Sequence, residues 1–316
     1  MKNINKVAVA NPASIRYRIV PSNPLAHLFS VCCEIDFPDP EGQRLSLPAW
    51  IPGSYLIRDF ARHIVSIRAA SRGRAVPIAK LDKHTWQAAP VNGSLEVHYE
   101  VYAWDLSVRG AHLDGTHGFF NGTSVFLCAL GREQDACAVR IDPPSGARYR
   151  EWRVATSLPR RGAPAGGFGL YAAGDYDELI DHPVEMGCFT SLRFRACGVP
   201  HEMAITGVHR ADTARLARDL KKICETQIRF WSGLAADREG GQAPMPRYIF
   251  LTTAVGDGYG GLEHRASTAL MCSRADLPQR GVSEVSESYR GFLGLCSHEY
   301  FHTWNIKRLK PSAFVP

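Results

Sequence analysis

The chain has 316 residues, of which 45% are hydrophobic and 22% charged, enough for a sizeable core and more than one domain and too apolar for disorder. Its formal net charge of +6 is spread along the chain, and no nucleic-acid-binding signature accompanies it, so nucleic acid is not an expected partner. No run of about 18 apolar residues could span a bilayer, which excludes a membrane protein of the helical kind.

The opening stretch "MKNINKVAVANPASIRYRIV" lacks the apolar core of a secretory signal. Nine irregularly spaced cysteines read as small buried apolar residues in a reducing compartment. The expected location is the cytoplasm.

The first half reads as β-structure. In "SIRYRIV" Ile15, Tyr17 and Ile19 alternate with Arg16 and Arg18, and in "SLEVHYEVYAW" Leu95, Val97, Tyr99 and Val101 alternate with Glu96, His98 and Glu100. A period of two marks half-buried antiparallel strands. The runs are separated by turn signals, "SNP", "DPEG", "IPGS" and "VNGS". A sandwich-like antiparallel domain over residues 1–178 follows. "RRGAPAGGFG" (160–169) is expected as a surface loop near its end. "WIPGSY" reads as a turn with Trp50 buried, or as a loop presenting Tyr55 to a cleft. "NGT" at Asn121 has the form of a glycosylation acceptor but reads better as a turn before a strand "SVFL".

From about residue 180 the pattern changes, and residues 179–316 are expected as a second domain. "SLRFRA" and "EMAITGV" form a strand pair joined by "CGVPH", with His201 and Glu202 at a surface hairpin. "ADTARLARDLKKICETQIRFWSGL" is an amphipathic helix with Asp212 as N-cap, and Leu216, Leu220, Ile223, Gln227 and Phe230/Trp231 on one face. "RYIFLTT" (247–253) is a short strand. A last helix is expected from Ser286 to Lys307, with Lys307 and Arg308 complementing its C-terminal dipole.

That last helix carries "HEYFH". Residues four apart share a face, so His298 and His302 can aim imidazoles at one ion, and Glu299 can hold water beside it without ligating. Gly291 and Gly294 cost the helix about 1 kcal/mol each against alanine, which makes sense if something packs closely there. Upstream, "DGYGGLEHRAST" (257–268) puts Gly260, Gly261 and Glu263 just after a strand. Glycines at a sheet edge admit a peptide backbone by strand addition, and Glu263 could pair with its free α-ammonium.

Together, "GGLEHRAST" and "HEYFHTWNIKRLKP" resemble the glycyl aminopeptidase family of zinc metallopeptidases, whose longer members often carry a C-terminal PDZ domain. "LPAWIPGSYLIRDFARHI" (47–64), "VYAWDLSVRGAHLDGTHGFFNGTSVFL" (101–127) and "YDELIDHPVEMG" (176–187) are similar to that family as well. The resemblance implies an α+β protein: an N-terminal antiparallel β-domain, then the first part of a thermolysin-like (zincin) catalytic domain. It implies Zn2+ held by His298 and His302, Glu299 as general base, and Gly260, Gly261 and Glu263 as the substrate-recognition strand. The implied reaction is removal of small N-terminal residues, glycine or alanine, from peptides with a free N-terminus.

The family's third zinc ligand is a glutamate on a later helix, and after His302 this sequence has no Asp or Glu. Glu185 and Asp257 read better as a domain-junction contact and a turn residue than as its replacement. The expectation is therefore an N-terminal fragment of a metallo-aminopeptidase, with a non-catalytic module that binds peptide N-termini as the alternative. His264 has no assigned role.

Overall fold

The alternating runs become strands with their apolar side chains inside. Ile15, Tyr17 and Ile19 of strand Ile15–Asn23 are buried, as are Leu95, Val97, Tyr99 and Val101 of strand Leu95–Tyr102. The structure, a computed structural model, describes residues 13–233, 243–310 and 312.

Seven strands hydrogen-bond in the order Gly169–Ala173, Cys137–Ile141, Ile15–Asn23, Leu28–Ile35, Leu95–Tyr102, Ile64–Ser71 and Arg74–Val76. A four-stranded sheet runs Cys128–Ala129, Arg44–Ser46, Thr85–Ala88 and Ile78–Lys80, and another runs Arg153–Thr156, Val184–Gly187, His117–Phe120 and Ala111–Leu113. Residue 178 falls within the short helix α1 (Tyr176–Ile180), and the N-terminal sheets continue to Gly187.

"SVFL" is not a strand. Val125, Phe126 and Leu127 fill the core, and their carbonyls accept hydrogen bonds from the hydroxyls of Tyr99, Tyr176 and Tyr17 at 2.7–2.8 Å. Tyrosine side chains thus replace a neighbouring strand as partners for buried backbone.

The second part is a five-stranded sheet ordered Thr190–Ala196, Val199–Thr206, Tyr248–Val255, Ser267–Ser273 and Gly260–Glu263. The three inner strands are mutually parallel and both edge strands antiparallel. Helix α2 (Thr213–Ser232) makes the crossover between two of the parallel strands, capped by Asp212, whose carboxylate accepts the Arg215 N–H at 3.0 Å. Its buried residues are Leu216, Leu220, Cys224 and Ile228. The sequence stripe starts on this row and then drifts off it: Phe230 is 69% exposed, because one four-spaced ridge makes the contact.

Helix α3 spans Glu287–Phe301, and Ser286 accepts the Tyr289 N–H as its N-cap. It ends at His302, not Lys307. Ile306 adopts a left-handed φ of 84°, and the chain turns back, with the Leu309 N–H bonded to the Trp304 carbonyl. Lys307 and Arg308 leave the helix dipole for tertiary partners, Lys307 reaching Asp181 and Arg308 the carbonyls of Arg265, Thr303 and Pro244. At Gly291 and Gly294 an added Cβ would meet nothing within 4 Å among the described residues, so the close packing expected there is not made by them.

The five-stranded sheet is shared between two cores. Ala204, Ile249, Leu251, Leu262 and Ala269 pack into the N-terminal core, while Met203, Phe250 and Cys272 lie with α2 and α3 in the other. His201, expected at a surface hairpin, is buried at 2% exposure, where it bonds the Tyr300 hydroxyl and the Val199 carbonyl at 2.9 Å each.

Candidate active site

The last turn of α3 places His298 and His302 on one side, with their Nε2 atoms 3.2 Å apart. His302 Nδ1 faces the Asn305 carbonyl at 3.3 Å. Donating a proton there leaves the Nε2 lone pair free. Glu299 points inward and is 5% exposed. Among the described residues its buried Oε2 has no hydrogen-bond partner. Burial first, then the charge of Glu263, push the Glu299 carboxyl up to about 8, with Arg109 opposing.

Across from α3 runs the edge strand Gly260–Glu263, paired among the described residues on one side only, to Ser267–Ser273. Gly261 abuts Glu299 so closely that a Cβ would overlap Oε1. Glu263 is buried, and ligand atoms of Glu263, Glu299 and His302 lie within 4.8 Å of one another. The far side of Glu263 is walled by Gly53, whose left-handed φ of +89° favours glycine and whose Cβ would stand 2.6 Å from Glu263 Oε2. These groups line a cleft of about 1030 Å³ together with Trp50, Tyr55, Arg109, Tyr259 and Ile306. Tyr55 is 96% exposed there and Trp50 is 44% exposed, so Trp50 is not the buried turn residue expected.

This donor set fits a zinc ion. With metal–nitrogen bonds of about 2.0–2.1 Å, two imidazole nitrogens on a tetrahedron sit about 3.4 Å apart, close to the 3.2 Å between His298 and His302. The hydrogen bond from His302 to Asn305 is the kind of outer partner that fixes a ligand's tautomer. Glu185 cannot join the set, since it bonds His117 and Thr206, and Asp257 is an exposed turn residue.

The pattern of the Peptidase M61 N-terminal domain matches residues 16–188, and that of the M61 glycyl aminopeptidase matches residues 291–316. The chain belongs to the M61 glycyl aminopeptidase family. A crystal structure of an aminopeptidase N family protein from Idiomarina loihiensis is 46% identical over 96% of this chain, with a TM-score of 0.90. This chain spans 49% of that protein's length. A variant M1 zinc metallopeptidase from Deinococcus radiodurans is 12% identical, with a TM-score of 0.51 over 92% of this chain and 63% of its own. Legionella pneumophila aminopeptidase A in complex with aspartic acid is 11% identical, with a TM-score of 0.54 over 92% of this chain and 34% of its own. Both share the fold. No curated protein matches the chain.

Three residues in and around this M61 cleft have roles that the sequence reading missed. Arg109 donates from Nη2 to the Gly261 carbonyl at 3.4 Å, so the N-terminal domain touches the free edge. Asn121, fully buried, holds the loop on both sides of Arg109 through Nδ2 to the carbonyls of Val108 at 2.9 Å and Gly110 at 3.4 Å. That burial also excludes a sugar. Asp181, at the end of α1, gathers His264 at 3.0 Å, Lys307 at 2.9 Å and Arg265 at 3.1 Å. His264 thereby has a place: it ties the end of the edge strand to the exit from α3. No spacing rule marks these contacts, because each joins segments far apart in the sequence.

Proposed function

We propose that the chain carries two zinc ligands, the general base and the N-terminus clamp of a metallo-aminopeptidase. The observation that supports this most is Glu299: a buried carboxyl with one oxygen unpartnered among the described residues, beside the paired imidazoles of His298 and His302. A module that only gripped peptides would have no use for that buried, unsatisfied group, which costs stability.

His298 and His302 would hold a Zn2+ ion, which would supply Lewis acidity to polarise the peptide carbonyl and ease deprotonation of water. Glu299 Oε2, ionised once the charge of a bound ion offsets its raised pKa, takes the proton of the attacking water and passes it to the departing amide nitrogen. The substrate backbone aligns along the free edge at Gly260 and Gly261, in the manner of an added strand. Glu263 receives the α-ammonium, a charge-assisted bond that sets the register so that only the first residue is removed. The Gly53 backbone closes the space behind Glu263, which favours glycine or alanine at the substrate's N-terminus.

The partners are peptides with a free N-terminus. No helix among the described residues is long and apolar enough to cross a membrane, and all nine cysteines are free thiols. The free thiols support a reducing, cytoplasmic setting.

Hydrolysis of Gly- and Ala-peptides against their N-acetylated forms tests this reading. Glu299→Gln is expected to lower kcat by about 100- to 10,000-fold with zinc retained. Glu263→Gln is expected to raise KM for free peptides and to erase the discrimination against acetylated ones. Equal cleavage of acetylated peptides by the unaltered chain would contradict the clamp.

A further inference from the structure

The N-terminal domain holds a second cluster of metal-binding side chains, away from α3. The sequence "HLDGTH" folds as a tight turn between strands Ala111–Leu113 and His117–Phe120. This brings ligand atoms of His112, Asp114 and His117 within 4.8 Å of one another. His112 and His117 are only 4% and 6% exposed. His112 Nε2 and Asp114 Oδ2 are 3.4 Å apart, about the edge length of a tetrahedron around a zinc-sized ion.

Two of the three donors are held by further hydrogen bonds. Asp114 Oδ1 accepts the Thr116 N–H and hydroxyl at 2.6 Å and the His117 N–H at 3.0 Å, which fixes the carboxylate and leaves Oδ2 for another partner. His117 Nδ1 faces Glu185 Oε1 at 3.0 Å, and Glu185, 2% exposed, is itself held by the Thr206 hydroxyl at 2.9 Å. A buried carboxylate that accepts a hydrogen bond from Nδ1–H leaves Nε2 as a free lone pair, the arrangement of carboxylate–histidine–metal triads. Among the described residues, buried His112 Nδ1 has no hydrogen-bond partner. The cluster borders a cleft of about 700 Å³, through which an ion and a water ligand can enter.

We propose that His112, Asp114 and His117 form a second divalent-metal site, of the zinc class. Two imidazoles and one carboxylate suit a borderline transition metal and offer too few oxygens for calcium or magnesium. An ion there would pin the hairpin that follows the Val108–Gly110 loop, and with it Arg109 at the edge strand. The competing account is ring packing: His27, Trp104, His112 and His117 stack in a column with centroids 3.8, 4.9 and 5.0 Å apart.

The test is Co2+ titration of the whole chain carrying His298→Ala and His302→Ala, so that the α3 pair contributes nothing. Uptake is read from visible absorption and from metal content after gel filtration. One Co2+ per chain is expected, displaced by Zn2+. Adding His112→Phe, which keeps a ring in the column, or His117→Gln is expected to weaken uptake at least 100-fold while circular dichroism reports the fold intact. No uptake before these changes, or uptake that neither change alters, would overturn the site and leave ring packing alone.

Discussion

Gly261 faces Glu299 across a gap that admits no side chain. The sequence reading assigned Gly260 and Gly261 to substrate approach, yet Gly261 has a prior duty to the carboxyl behind it. At Gly260 a Cβ would reach only ordinary contact, 3.9 Å from Val108. Gly261→Ala must therefore push Glu299 or the edge strand aside. A displacement of about 1 Å can cost 100-fold in rate, so kcat/KM should fall by about that much, as peptide hydrolysis by the folded variant will report; Gly260→Ala should fall far less. His298, Glu299 and His302 were legible because a helix imposes a fixed spacing on them. Arg109 was not, since nothing local in "SVRGA" says which strand it will meet.

Elements were legible where a local signal begins them and less so where tertiary contacts end them. Ser286 marks the start of α3 by capping chemistry, while its end is set by Lys307 and Arg308 finding partners outside the helix. Gly291 lies on an open face of α3, so Gly291→Ala should raise stability by about 0.5–1 kcal/mol, measurable in denaturant melts. A lower midpoint would mean that something does pack there.

Asp181 links three elements, and breaking a buried ion pair by removing one partner costs about 3 kcal/mol or more. Asp181→Asn should lose about that much. Burial alone would raise the Asp181 carboxyl, but Lys307 and His264 hold it well below the usual range. Its contribution is thus complete above the ordinary aspartate pKa of about 4. It disappears only as pH falls toward the depressed value.

At the scale of the molecule, one sheet serves two cores. Strand patterning revealed the N-terminal β-structure, but not that Leu262 and Ala269 would pack into it from the second part. The strand alternation carries no information about which distant layer covers a face. Because the sheet is shared, a single cooperative unfolding transition is expected, with Leu262→Ala lowering its midpoint by the equivalent of about 2–5 kcal/mol; two separate transitions in calorimetry would argue against the shared core.

His201 adds a pH signature to that transition. Burial lowers its pKa from 6.5 to about 4, so between those values the unfolded chain binds the proton and the folded chain does not. Stability should fall by about 1.4 kcal/mol per pH unit on acidification through that window, and His201→Asn should remove this slope.

The central claim, that the α3 histidine pair holds zinc beside the Glu299 base, is tested most directly by zinc content. The unaltered chain and His302→Ala are each loaded with Zn2+, gel-filtered and compared. The account predicts one zinc fewer per chain in the variant; equal contents in the two would contradict it.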